Sequence, residues 1–171
     1  MKQVYLAGTG RNHGKTTFAL GLLAAMLDRQ VSTAFIKPVG QRYALVDDIP
    51  ADEDAILMHD LFGLDAPLTD MSPVHIPRGF TKSFIRGEVV EDLTIKIVVA
   101  HQHLIEHHDA VLIEGTGHAG VGAVVGLSNA DVAARMKAPV VIVSEGGVGR
   151  PIDEIVLNTA LFAKRGVPIV G

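Results

Sequence analysis

The stretch Gly8-Thr9-Gly10-Arg11-Asn12-His13-Gly14-Lys15-Thr16-Thr17 carries the residue types that grip a polyphosphate. Glycines at 8, 10 and 14 let the backbone curl and approach an anion closely. The amides of such a turn, with the positive end of a following helix, form an anion site. Lys15 adds a mobile charge for β- and γ-phosphates, and the Thr16 hydroxyl suits Mg²⁺. Binding of ATP or a similar nucleotide with Mg²⁺ is therefore expected, with residues 8–17 as the contact segment. The spacing departs from the strict template G-x-x-x-x-G-K-[ST]. Position 9 is Thr, and the first glycine falls one residue earlier.

Mg²⁺ prefers oxygen ligands and keeps several waters, so one or two carboxylates suffice. Glu114 closes the apolar run Ala110-Val111-Leu112-Ile113. A carboxylate at the C-terminal end of a buried strand faces the crevice where open α/β sheets bind ligands. A second acid is expected from Asp52-Glu53-Asp54, which also opens a helix where the dipole alone favours acids. His118 lies among glycines just after Glu114 and could meet phosphate or an acceptor; a loop histidine without a role is the plainer alternative. Ser144-Glu145 stands at another strand end. His103 and His107 share a helix face without the glutamate of a metalloprotease helix, so they read as a solvated surface.

These groups need a frame, and the hydrophobic pattern supplies one. Short apolar runs (Val4–Ala7, Val31–Ile36, Ala110–Glu114, Val140–Ser144, Val167–Val170) read as strands buried on both faces. Between them, Lys15–Arg29, Asp52–Phe62, Leu93–His107, Ser128–Met136 and Pro151–Arg165 read as helices. In the first helix, Phe18, Leu22 and Met26 lie on one i, i+4 line and Ala19, Leu23 and Leu27 on the next. Residues 64–92 give no clear pattern. Alternating β and α segments predict an α/β fold, a three-layer doubly wound parallel sheet. The whole span 1–171 reads as one nucleotide-binding domain. A parallel sheet whose last strand ends at Gly171 suggests a C-terminally truncated chain.

Composition narrows the function classes. With 171 residues, 48% hydrophobic and 20% charged, the chain is globular and can bury a sizeable core. A formal charge of −4 gives no basic surplus for nucleic acid. There is no cysteine, hence no disulfide, thiolate metal site or cysteine nucleophile. No apolar stretch spans a bilayer and no secretory pattern opens the chain, so a cytoplasmic location without membrane attachment is expected.

The pieces together resemble the dethiobiotin synthetase branch of P-loop proteins. That branch includes cobyrinic acid a,c-diamide synthase and the dethiobiotin-synthetase-like N-terminal domain of some phosphate acetyltransferases. The matching residues are Gly8-Thr9 with Gly14-Lys15-Thr16, Lys37-Pro38-Val39, Asp54-Ala55, Glu114-Gly115 and Gly146-Gly147-Val148-Gly149. The resemblance implies a P-loop NTPase fold and an ATP-dependent ligase that activates a small-molecule carboxylate or carbamate acceptor. It further implies that Lys15 and Lys37 surround the transferred phosphoryl, that Thr16, Asp54 and Glu114 hold Mg²⁺, and that the protein is a homodimer. Three departures stand out: Arg11 replaces a small hydroxyl residue, Gln41 stands in place of a serine, and the loop 115–126 differs. Segment 67–86 is closer to the phosphate acetyltransferase type, and the base-recognising segment would follow Gly171. These departures keep a second reading open, a regulatory nucleotide-sensing domain with little or no turnover. A partition-type switch ATPase would need a lysine where Thr9 stands.

Overall fold

The computed structural model describes residues 2–171. Four parallel strands form its main sheet: β1 (Lys2–Gly8), β2 (Thr33–Ile36), β7 (Ala110–Glu114) and β8 (Val140–Val143), in the order β2-β7-β1-β8. Register pairs Leu6 with Glu114 and Gly8 with Val143, so three strand ends reach one edge together. From β1 the chain crosses to β2 on one side, whereas from β7 it crosses to β8 on the other. That reversal opens a crevice at the strands' carboxyl ends. Every residue of β2 and β7 is buried, which requires cover on both faces.

Helix α1 (Lys15–Asp28) packs on β1, β2 and β7. Of its two apolar lines, Ala19 and Leu23 are the buried one and Phe18 is half-exposed. Small Ala19 lets the helix sit close to the sheet. Helix α5 (Leu93–His107) matches the expected span despite its β-branched run. Asp92 caps it by accepting the amides of Thr94 and Ile95. Burial of Leu93, Ile97, Ala100 and Leu104 outweighs propensity penalties of at most about 0.7 kcal/mol per residue.

Between β2 and α5 lie the expected helix and the stretch 64–92 that periodicity left open. This part of the chain holds β3 (Val39–Gly40), a hairpin of β4 (Tyr43–Val46) and β5 (Ile49–Asp52), helix α2 (Glu53–Phe62), short α3 (Leu68–Met71), β6 (Val74–His75) and α4 (Phe80–Ile85). The hairpin turn places Asp47 and Asp48 at positive φ, as a two-residue turn with matching twist requires. Helix α6 (Asn129–Arg135) starts at Ser128, whose hydroxyl accepts the amide of Asp131 at 3.1 Å. Helix α7 (Arg150–Lys164) takes proline in its first turn. The expected strand at 167–170 is only a single parallel bridge, Val140 to Ile169. Its backbone does bond to β8, through Val140 N to Pro168 O and Val170 N to Val140 O. No helix among the described residues is long and apolar enough to cross a membrane.

One histidine ties α5 to the sheet. His101 is buried, and its Nε2 lies 2.6 Å from Gln3 Oε1, while Gln3 Nε2 donates to Met136 O. Burial lowers the His101 pKa from 6.5 to about 4. The imidazole is thus neutral in the folded chain and protonates more easily when unfolded. Stability is full above pH 6.5 and falls as pH drops towards about 4. Urea melts at pH 7 and pH 5 measure this, and His101→Gln is expected to remove part of the acid sensitivity. Equal pH slopes in both proteins would refute the assignment.

Candidate functional site

The loop between β1 and α1 wraps around Lys15. Gly14 stands at φ +87° as the helix N-cap, with no side chain closing the first-turn amides. Those amides remain available to an anion. Lys15 is buried, and its Nζ donates to Gly10 O at 2.9 Å. The lysine stem crosses Gly8 so closely that a Cβ there would stand 2.6 Å from Nζ and 2.9 Å from Gly10 O. Only glycine fits at position 8 without moving the ammonium.

Lys37 follows β2, and its amide is anchored to Met71 O. Its Nζ lies 2.5 Å from Asp54 Oδ2 and 2.8 Å from Glu114 Oε1. Asp54 is held at the start of α2 because Asp52 accepts its amide at 3.0 Å. Thr16 Oγ1 donates to the same Glu114 Oε1 at 2.9 Å. Glu114 is 1% exposed, and its Oε2 has no hydrogen-bond partner.

Electrostatics follow from this crowding. Burial lowers the pKa of Lys37, but Glu114, then Asp54 and Asp52, outweigh it and hold the ammonium above its ordinary value. Lys15 goes the other way: burial and then the charge of Lys37 lower it, against Glu114 and Asp54. Burial raises the Asp52 carboxyl, with Lys37 opposing.

Lys15, Thr16, Lys37, Asp54 and Glu114 line one cavity of about 580 Å³. Arg11, Asn12, Gly14 and Thr17 also line it. Gly8, Thr9, Gly10 and His13 are not among its lining residues. Thr9 Oγ1 lies 2.8 Å from His13 Nδ1 and donates to Ser144 Oγ at 3.3 Å, which joins the loop to the end of β8. His118 is exposed and is not among the lining residues. His103 pairs with Asp70 and meets His107 edge-to-face at the surface. Among the described residues, no group of three or more His, Cys, Asp or Glu side chains could hold a metal. A metal here needs the Thr16 hydroxyl and ligand oxygens as well.

Sequence reasoning passed over three supports. Gln41 accepts from Arg11 Nη2 at 2.5 Å, linking the loop to the segment after β3. Asp52 is the helix cap that fixes Asp54, a role its place before Glu53 could have signalled. Asn129 is the third. Its Oδ1 accepts Tyr5 Oη and Thr116 N, and its Nδ2 donates to Thr116 O and His118 O. This buried amide uses all of its bonding capacity to hold the loop behind Glu114. Asn129→Ala is expected to destabilise the fold by about 2–4 kcal/mol, because several buried partners are left unpaired. Tyr5→Phe leaves one acceptor unfilled and is expected to cost about 1 kcal/mol. Chemical denaturation of both variants checks the order; equal losses would contradict it.

The comparisons with known proteins agree with this frame. The AAA domain family matches residues 2–171. The ATP-dependent dethiobiotin synthetase BioD of Anaeromyxobacter dehalogenans (strain 2CP-C) is 27% identical over 173 residues, covering 100% of this chain and 75% of that protein. The phosphate acetyltransferase of Nitratidesulfovibrio vulgaris is 29% identical over 159 residues, covering 92% of this chain but 22% of that one. Among solved structures, the chimerical protein CapA2B2 superposes with a TM-score of 0.62 at 12% identity, over 99% of this chain and 74% of that one. That likeness is one of fold. The loop, the strand order and the family match lead to one statement: this chain belongs to the AAA domain family and is a dethiobiotin synthetase-like P-loop protein.

Proposed function

We propose that this protein binds ATP with Mg²⁺ and activates a carboxylate or carbamate by phosphoryl transfer, as an ATP-dependent carbon–nitrogen ligase does. The observation that carries the reading is the convergence of two lysines, a hydroxyl and two carboxylates on one cavity beside an uncapped helix start. The printed activity of the dethiobiotin synthetase relatives supports it.

The chain's residues would act by position and charge. Free amides at the start of α1 and the Lys15 ammonium bind the phosphates. Lys15 exchanges its bond to Gly10 O for a phosphate oxygen, at little cost because the carbonyl is a neutral partner. Thr16, Asp54 and Glu114 offer only oxygens, and the unpartnered Glu114 Oε2 suits a hard cation or its water. Bound Mg²⁺ supplies neutralisation of charge on the phosphates. Lys37 pins the acceptor anion. The acceptor oxygen attacks the γ-phosphorus, a new P–O bond forms, and the bond to the β–γ bridging oxygen breaks. ADP leaves with that electron pair and no proton moves. An amine then displaces phosphate from the carbonyl carbon and loses one proton. Alignment and charge neutralisation are the main help a protein can give such a transfer.

A second reading, a nucleotide sensor with slow or no turnover, draws on the Arg11–Gln41 link, which joins two sides of the cavity wall. It predicts that nucleotide changes self-association or affinity for a partner, and light scattering with and without ATP, on a protein we propose to be a homodimer, tests the first.

Calorimetry is expected to detect ATP binding in the presence of Mg²⁺. Lys15→Met removes a charge-assisted bond and is expected to weaken it about 10- to 150-fold. A panel of carboxylates and amines tests turnover through ADP release. Absence of any ATP binding by well-folded protein would end both readings.

A further inference from the structure

We propose that Lys37 is an exchangeable internal cation: it keeps a divalent ion out of the seat between Asp54 and Glu114 until a γ-phosphate draws its ammonium away. This rests on the reading of the cavity as a triphosphate site and adds an interlock to it.

The seat is already full of charge. Nζ of Lys37 touches both carboxylates, at 2.5 Å and 2.8 Å, and Lys37 is itself buried. The Thr16 hydroxyl, the third candidate ligand, donates its proton to the same Glu114 oxygen. All three expected metal ligands are thus engaged with one another or with the lysine. A divalent cation shared by Asp54 and Glu114 would have to stand beside the ammonium that both carboxylates now hold. Two such cations on one pair of carboxylates repel each other unless one of them leaves. Glu114 Oε2 is left over, buried and unpartnered. An arrangement built only for a static ion pair would leave no such acceptor idle. It is the atom that gains a partner when the cation on this seat changes.

The release step comes from geometry as well. Lys15 and Lys37 line the same cavity, and the charge of Lys37 bears on Lys15. A terminal phosphate gripped by Lys15 therefore gives Lys37 a second anion to bind. Asp54 and Glu114 are then free for the ion that accompanies the phosphates. A diphosphate ends one group short and leaves the lysine in place. Metal and γ-phosphate thus favour the same rearranged state, and by linkage each raises the affinity of the other. The interlock makes Lys37 a residue that distinguishes triphosphate from diphosphate before any chemistry occurs.

The test uses Mn²⁺ as probe and the full chain without nucleotide. Free Mn²⁺ is followed by electron paramagnetic resonance for wild type, Lys37→Met and Lys37→Arg. Lys37→Met is expected to bind Mn²⁺ at least about tenfold more tightly than wild type, within the usual range of coupling between sites. Lys37→Arg, which keeps the positive charge, is expected to exclude the ion as wild type does. Equal Mn²⁺ affinity in wild type and Lys37→Met overturns the proposal. Should Lys37→Met fail to fold, wild type alone decides through its ¹⁵N-labelled lysine resonances. The Lys37 Nζ signal is expected to shift with a non-hydrolysable triphosphate and not with ADP; identical responses to both overturn the interlock. Loss of all nucleotide binding would instead strike the functional reading, which the nucleotide-free Mn²⁺ titration does not depend on.

Discussion

The ammonium of Lys37 sits between Asp54 and Glu114, with Lys15 and the Thr16 hydroxyl beside it. None of these charges could be buried alone, since desolvating a single ion costs several kcal/mol even after relaxation. Together they offset one another. The site exists because three distant parts of the chain, the ends of β2 and β7 and the start of α2, bring opposite charges to one edge of a dry sheet. Removing one member leaves the others uncompensated, which ties the integrity of the site to that of the fold around it.

Behind that cluster the backbone is fixed by close approach and by a saturated polar network. Gly115 follows Glu114 where a Cβ would stand 2.5 Å from Asn129 Oδ1 and 2.7 Å from Tyr5 Cε1. Tyr5 and Asn129 can therefore reach the loop only because position 115 has no side chain. Thr116 adds a bond from its hydroxyl to Val39 O at 2.6 Å, tying this loop to the segment after Lys37. The same short path thus joins the metal-ligand candidate Glu114 to the strand end that carries the second lysine. Rigid support of this kind is what positioning catalysis requires.

Two of the departures from the family pattern, Arg11 and Gln41, line the cavity. Arg11 and Gln41 bond to each other, and Arg42 lies 3.5 Å from Glu53. The same cavity holds the lysines, the hydroxyl and the carboxylates.

Much of this was legible in the amino-acid order, and the reason is local physics. The β1–α1 loop is contiguous, so glycine freedom, Lys15 and Thr16 announce themselves together. Strands buried on both faces and helices with caps such as Ser128 and Asp92 carry their own signals. Other features depend on neighbours far along the chain. Which apolar line of α1 faces the sheet was decided by how closely Ala19 lets it approach. Apart from the helix Glu53–Phe62, the small elements between residues 39 and 85 are too short for periodicity to show, and several of them pack on β2 and α5. Nothing local to Asp52-Glu53-Asp54 distinguishes a metal ligand from an ordinary helix start. The family resemblance pointed to Asp54, and the structure adds the cap made by Asp52 and the reach of Lys37. The sequence by itself determined the anion-binding loop and the layered fold, since both follow from near neighbours. The tertiary structure decided the charge cluster, because it joins residues 17 to 98 positions apart, a separation that only the folded sheet closes.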